Sequence, residues 1–226
     1  MESDDIRCTD LLGRVLVACE HSGVVRDAFA RQGWDAWSCD VKPADNGGQH
    51  YQCDVREILD DGWDMMIAHP PCTYLCSSGL HWTTRGLRDP KLTDEAIAFA
   101  ELLWDAPIKR VCLENPVGCL STRSKLGKSY QRIQPHDFGE DASKATCLWI
   151  RGMPPLRPTR RCEPRIVNGK RRWANQDDNG QNKQSSDRHN KRAIRSRTFA
   201  GVAEAMANQW TLAMRPNGKL TQPRHE

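Results

Sequence analysis

Continuous apolar runs of strand length alternate with segments of helical period along the first two thirds of the chain. Val15-Leu16-Val17-Ala18 is the first such run, long enough for a buried strand and too short for a helix. After it, Val25, Ala28 and Phe29 recur at helical spacing, with Ser22 placed to cap the helix and Gly33 placed to stop it. A short strand is predicted at Ala36-Trp37-Ser38-Cys39, a short helix near Val55 to Leu59, and a buried strand at Met65-Met66-Ile67-Ala68. A helix near Asp94 to Trp104 and a strand at Arg110 to Leu113 repeat the rhythm, and Thr146 to Ile150 reads as a further strand. Val202, Met206 and Trp210 mark a closing helix over Thr198 to Ala213. This βαβ alternation predicts an α/β fold with a mostly parallel, twisted sheet and helices on both faces.

The 226 residues suffice for one real core. The sequence divides into an α/β body over 1–150, a basic insert over 151–195, and a C-terminal helix with a tail over 196–226. Ten cysteines without a Cys-x-x-Cys pair, and the lack of any apolar run of signal or membrane length, predict free thiols in a reducing cytoplasm and no membrane.

Charge alters this picture by its distribution. Arg151 to Arg197 holds 14 Lys or Arg against 4 Asp or Glu, a net of +10, which leaves −6 for the rest of a chain whose formal total is +4. An acidic body with a basic, Gly/Asn/Gln/Ser-rich insert predicts that the insert holds a polyanion. Arg157, Arg160, Arg161, Lys170, Arg171 and Arg172 are the expected phosphate contacts, and Trp173 is either a stacking side chain or the cover of a small satellite core. Residues 177–190 have the composition of a disordered stretch.

Candidate chemistry gathers at the carboxyl ends of the expected strands, where open α/β sheets place their sites. The strand at Met65 to Ala68 runs into His69-Pro70-Pro71-Cys72, and a cysteine at that turn is a candidate nucleophile once its thiolate is favoured. Glu114, 42 residues later, ends the next strand and is expected to face the same pocket. The first strand enters Cys19-Glu20-His21-Ser22-Gly23, which lacks the glycines of a pyrophosphate-binding turn. Asp40 follows the second strand, where a carboxylate accepts ribose hydroxyls, and Asp54 is positioned to accept from an adenine amine. Three acids at successive strand ends suit a nucleoside with a cationic head, the form of S-adenosylmethionine.

With these residues in view, the chain resembles the DNA cytosine-5 methyltransferase family, in its short phage and bacterial versions. Pro70-Pro71-Cys72 is similar to the family's nucleophile motif, and Glu114-Asn115-Pro116 to its Glu-Asn motif. Cys19 to Gly23 with Asp40 and Asp54 is similar to its cofactor turn and acids, and Ser196 to Ala207 to its last motif. The resemblance spans roughly residues 14–150 and 195–212. It implies a Rossmann-like S-adenosylmethionine-dependent methyltransferase sheet with a short basic target-recognition insert. It further implies a monomer acting on double-stranded DNA with a flipped cytosine, in a bacterial or phage-infected cytoplasm, with S-adenosylhomocysteine as product and no metal. Cys72, Glu114 and Lys144 then carry the chemistry. Cys19, Glu20, His21, Ser22, Gly23, Asp40, Val41, Asp54, Val55, Pro70, Ser196 and Thr198 hold the cofactor, and Asn115 joins the DNA contacts.

Two departures stand out: Gly23 is the only glycine in the first motif, and the Gln-x-Arg-x-Arg motif is absent. Its counterpart is Phe138 to Trp149, where Lys144 or Thr146 is placed to hold the base or its phosphate. Other readings stay open. His69, Cys72, Cys76 and His81 are of zinc-binding types; an amino-methyltransferase acting on adenine N6 or cytosine N4 would share the fold; a catalytically silent decoy would bind DNA or cofactor alone; and a free nucleotide is a possible substrate. Cys76, Cys112, Cys119 and Cys147 read as ordinary buried thiols.

Overall fold

The computed structural model describes residues 11–183 and 197–215. The strands are β1 (Arg14–Ala18), β2 (Asp35–Cys39), β3 (His50–Tyr51), β4 (Met65–Ala68), β5 (Arg110–Pro116), β6 (Gln131–Ile133), β7 (Thr146–Arg151), β8 (Arg165–Val167) and β9 (Lys170–Arg172). The α-helices are α1 (Val24–Ala30), α2 (Ser77–Thr84), α3 (Lys91–Asp105), α4 (Leu120–Arg123) and α5 (Ala200–Met214). Seven strands form one sheet in the order β3-β2-β1-β4-β5-β7-β6, parallel from β3 to β5, with β7 antiparallel to both its neighbours. This is the Rossmann-like α/β sheet expected from the sequence, with an antiparallel strand set between the fifth and sixth positions of the dinucleotide-binding order.

Alternation along the buried strands assigns the two faces. Val15, Val17, Met65, Ile67, Cys112 and Leu148 point to one side, where Phe29 of α1 and Met206 and Trp210 of α5 cover them. Leu16, Ala18, Met66, Ala68 and Val111 point to the other, under Trp63 and Leu103 of α3. Trp34 Nε1 donates to Thr211 Oγ1 at 2.8 Å, tying the chain after α1 to α5.

The charge of Arg26 on α1 is fully buried and fully partnered. It donates to Asp27, Ser38 Oγ, Asn46 Oδ1 and the Gly47 carbonyl, and so fixes the loop after β2 against α1. A buried charge without such partners would be strongly destabilising.

Several expectations need correction. The first helix ends at Ala30, short of Gly33, and Ser22 Oγ accepts only the Val24 N–H at its start, at a long 3.5 Å. Residues 177–183, expected to lack structure, form a turn in which the Gln181 N–H donates to Asp177 Oδ1 and Asp178 pairs with Arg165. The remainder of that stretch, 184–190, and Ser196 lie outside the described residues. No helix among the described residues is long and apolar enough to cross a membrane.

Candidate active site

Pro70 and Pro71 stop β4, and the chain turns through a 3₁₀ segment, Cys72–Tyr74, into α2. The turn is pinned from the next strand: Asn115 is buried and its Nδ2 donates to the Pro70 carbonyl at 2.9 Å. Asn115 therefore braces the loop and is not exposed to DNA, which corrects its expected role. One residue earlier, Glu114 faces His69, with Oε2 2.6 Å from His69 Nδ1. Lys144 is close enough for its charge to act on Cys72, Glu114 and His69. Thr198 lines the same pocket as Glu114 and helps to lower its pKa. Glu114, Lys144, Thr146, Thr198, Phe199 and Val202 line a small pocket at this end of the sheet. The Thr146 hydroxyl itself is turned to the Lys144 carbonyl, 3.2 Å away.

His69 was read as a possible metal ligand, and the structure gives it a different partner. His69 turns to Glu114, whereas His81 lies on α2 against Trp82 and Arg85. Among the described residues no three His, Cys, Asp or Glu side chains are grouped to hold a metal ion. Burial opposes charge on both members of the pair. For His69 the Glu114 hydrogen bond and charge, helped by Glu20, outweigh burial and Lys144, and its pKa is raised. For Glu114 the His69 contact, Lys144 and Thr198 outweigh burial, and its pKa is lowered.

The stability this pair contributes has a defined pH window. The His69 part is fully present below its unfolded value of about 6.5 and is lost as pH rises through the higher folded value. The Glu114 part is present above its unfolded value of about 4.3 and is lost as pH falls through the lower folded value. Urea unfolding followed from pH 5 to 9 is expected to show stability falling on the alkaline side, and His69→Gln is expected to flatten that fall. An unchanged slope in the variant would separate His69 from the effect.

At the other end of the site, the turn after β1 is built around Glu20. Its buried carboxylate accepts the N–H groups of Val25 and Arg26, at 2.9 and 3.2 Å, and the Ser22 hydroxyl at 3.1 Å. Glu20 thus provides the shorter cap bonds of α1, and its carboxylate and the Ser22 hydroxyl are both engaged within the turn. Gly23 has φ 71°, and a Cβ there would lie 2.4 Å from Arg26 Nη2 and from Asn46 Oδ1. Gly23 is required by the packing of Arg26 and by its own backbone. Val55 packs under Ile58, Leu59 and Trp63 in the core, which also removes it from the site. Pro70 is buried and contributes its carbonyl to Asn115.

Cys19, Asp40 and Asp54 remain together at the ends of β1 to β3. Burial first, then the two carboxylates, push the Cys19 thiol up to about 12. Asp40 Oδ1 accepts the Lys42 N–H at 3.0 Å, and its other oxygen accepts nothing from the described residues. Asp54 accepts from the Arg56 backbone and guanidinium, which hold its carboxyl down to about 2. Val41 beside them is exposed. His21 lies 3.1 Å from Asp45, which also receives Arg197 at 2.6 Å, so the last motif is anchored across this rim.

These residues fit a nucleoside with a cationic head and do not fit a pyrophosphate. The α1 amides that would hold a phosphate already belong to Glu20. Asp40 supplies a carboxylate oxygen with capacity for a ribose, and the acidic rim favours positive charge.

The basic insert carries a β8–β9 hairpin closed by Asn168 and Gly169, both at positive φ. Arg157, Arg160, Arg161, Lys170 and Arg171 are exposed, and Arg172 is half-buried against the 178 turn. The Trp173 ring lies parallel to His136 at 4.2 Å, the packing that the satellite-core alternative expects.

Cys112, Cys119 and Cys147 are buried as expected, but Cys76 is not an inert core thiol. It is half-buried at the start of α2, and its N–H donates to the Cys72 carbonyl at 3.0 Å. The spacing of four residues across a helical turn is the sequence signal that could have found this contact.

No protein-family model and no curated protein matches the sequence. Among solved structures, the chain is similar to a candidate DNA modification methyltransferase encoded within an E. coli prophage. The identity is 17% and the TM-score 0.41, over 61% of this chain and 45% of that one. The chain thus spans less than half the length of that protein.

Proposed function

We propose that this protein is a DNA cytosine-5 methyltransferase that uses S-adenosylmethionine and releases S-adenosylhomocysteine. The reading is carried by one observation: a cysteine and a hydrogen-bonded carboxyl group stand together at the carboxyl ends of two adjacent parallel strands. Cytosine needs this combination, because C5 is too electron-poor to accept a methyl group until a nucleophile adds at C6.

The cytosine leaves the base stack to enter the pocket, since a stacked base offers no face to a nucleophile. Cys72 gives up its thiol proton to water as Sγ adds to C6. Glu114 hydrogen-bonds the ring at N3, and the proton shared between His69 Nδ1 and Glu114 Oε2 moves toward N3 as electron density builds there. At rest the Glu114 charge disfavours a Cys72 thiolate, while Lys144 favours it. A ring protonated at N3 brings positive charge beside Cys72 and offsets Glu114, so docking of the base itself activates the nucleophile. Asp40 and the acidic rim would hold the cofactor, which supplies an electrophilic methyl group to C5. Water takes the C5 proton, and Cys72 is expelled.

The substrate is assigned to DNA because of the insert, whose exposed arginines and lysines suit a phosphate backbone. Its short length suits a di- to tetranucleotide context. The protein is best tested in cells that lack DNA methylation, by mass analysis of hydrolysed DNA combined with mapping of conversion-resistant cytosines. 5-Methylcytosine in a short fixed context is the expected result. N6-methyladenine, N4-methylcytosine or no modified base would overturn the reading.

A further inference from the structure

The basic insert is mounted on the wall of the reaction pocket itself. Pro135 and Lys144 line that pocket, and a residue beside each of them carries the insert. His136 accepts the Cys162 N–H on its carbonyl at 2.8 Å, and its ring stacks on Trp173 at 4.2 Å. Ser143 is clamped by Asn175: the Ser143 N–H donates to Asn175 Oδ1, and the Ser143 carbonyl accepts from Asn175 Nδ2, both at 2.9 Å. A carboxamide presents a donor and an acceptor side by side, and the two bonds fix which end is which. Asn175 Nδ2 also donates to Asn182 Oδ1 at 3.4 Å, and the Asn175 carbonyl accepts the Lys183 N–H at 2.8 Å, so the clamp is held from within the insert.

Residues 142–145 belong to no helix or strand, so their path is set by what ties them down. The Lys144 N–H donates to Gln134 Oε1 at 3.0 Å, and Lys144 Nζ donates to the Arg197 carbonyl at 3.3 Å. The Asn175 clamp adds a tie from the insert to the residue next to Lys144. We propose that Asn175 is a positioning residue, which fixes Lys144 in register with the β8–β9 hairpin; the assignment rests on the methyltransferase reading above. A duplex whose phosphates lie on the hairpin then presents its flipped cytosine to a pocket whose cation is already in place.

The mounts divide the labour. Without Asn175 the hairpin is still held through His136, and through the Ala174 N–H, which donates to Asp141 Oδ1 at 2.9 Å. Lys170 and Arg171 stay exposed on it, so its grip on a phosphate backbone survives. What is lost is the tie between that grip and Lys144. Binding of DNA and turnover on it should therefore respond differently to the same substitution.

Three measurements on the full chain test the proposal with Asn175→Ala. Hydrogen exchange, which needs no turnover, is expected to quicken about tenfold at the Ser143 amide, which loses its acceptor. Binding to a cytosine-containing duplex across a salt series is expected to stay within about twofold with the same slope, since no phosphate contact is removed. On that duplex kcat is expected to fall roughly tenfold with KM unchanged, less than the loss of the cation itself would cost. In a Lys144→Gln background the same substitution should cost nothing further, because the two residues act as one unit. Asn175→Asp keeps the bond from the Ser143 N–H and loses the other; it is expected to lie between wild type and Asn175→Ala, and it carries the test if the alanine variant does not fold. Unchanged exchange at Ser143, a full kcat, or an undiminished penalty in the Lys144→Gln background overturns the role of Asn175. Quickened exchange in a protein whose wild type makes no 5-methylcytosine overturns the reaction and leaves the clamp standing.

Discussion

Cys72→Ser is expected to leave no measurable methyl transfer to cytosine while S-adenosylmethionine affinity stays within a few-fold. A serine hydroxyl fits the same turn, so the loop between β4 and α2 should be preserved. It ionises far less readily than a thiol and is the poorer nucleophile, so C6 addition fails. The acids at the ends of β2 and β3 are separate from this loop, and Glu20, which shapes the first turn, makes none of its bonds to Cys72. Radiolabelled methyl incorporation and calorimetric titration of the cofactor measure the two quantities independently. Retained turnover would move the nucleophile elsewhere, while a joint loss of binding would show that Cys72 shapes the cofactor site as well.

Gly118→Ala is expected to cost about a hundredfold in turnover with the sheet intact. A Cβ at this position would lie 1.9 Å from the Leu75 carbonyl oxygen and 2.7 Å from the Cys76 Cα, and both contacts are backbone. Something must shift, and the segment free to do so is the loop that carries Cys72 and Cys76. The loop is held here by backbone hydrogen bonds, from Cys119 N–H to the Leu75 carbonyl at 2.9 Å and from Ser77 N–H to the Val117 carbonyl at 3.1 Å. Displacing a reacting atom by about an ångström typically costs this much. Turnover and circular dichroism on the same preparation would check it; full activity would show that the loop absorbs the added methyl group without moving Cys72.

The buried strands β1, β4 and β5 were legible because each is a continuous apolar run, and α3 and α5 because their buried positions recur at helical spacing. β3 and β6 were missed, since two or three residues carry no period. α2 was missed because most of its side chains face solvent and it buries only Gly79, so it has no apolar stripe. The β8–β9 hairpin had a usable signal in Asn168-Gly169 and could have been found.

The site was less legible than the fold. A strand end brings Cys72 and Glu114 to one edge by topology, so their proximity follows from the pattern. The pairing of His69 with Glu114 across 45 positions does not. Nor does the capping of α1 by Glu20: a carboxylate that reaches back to the Val25 and Arg26 amides looks, in sequence, the same as one that faces a ligand.

The seating of α5 on the sheet has a consequence for biosynthesis. Trp210 and Met206 are buried against strands that emerge from the ribosome more than a hundred residues earlier. Until they arrive, Val15, Val17, Met65 and Ile67 lack the cover of α5, and the Trp34 indole lacks its Thr211 partner. The nascent chain must therefore carry an open apolar face through most of its translation, during which chaperones and aggregation compete for it. Translation pauses before residue 200 are expected to lower the yield of folded protein without altering a single native contact.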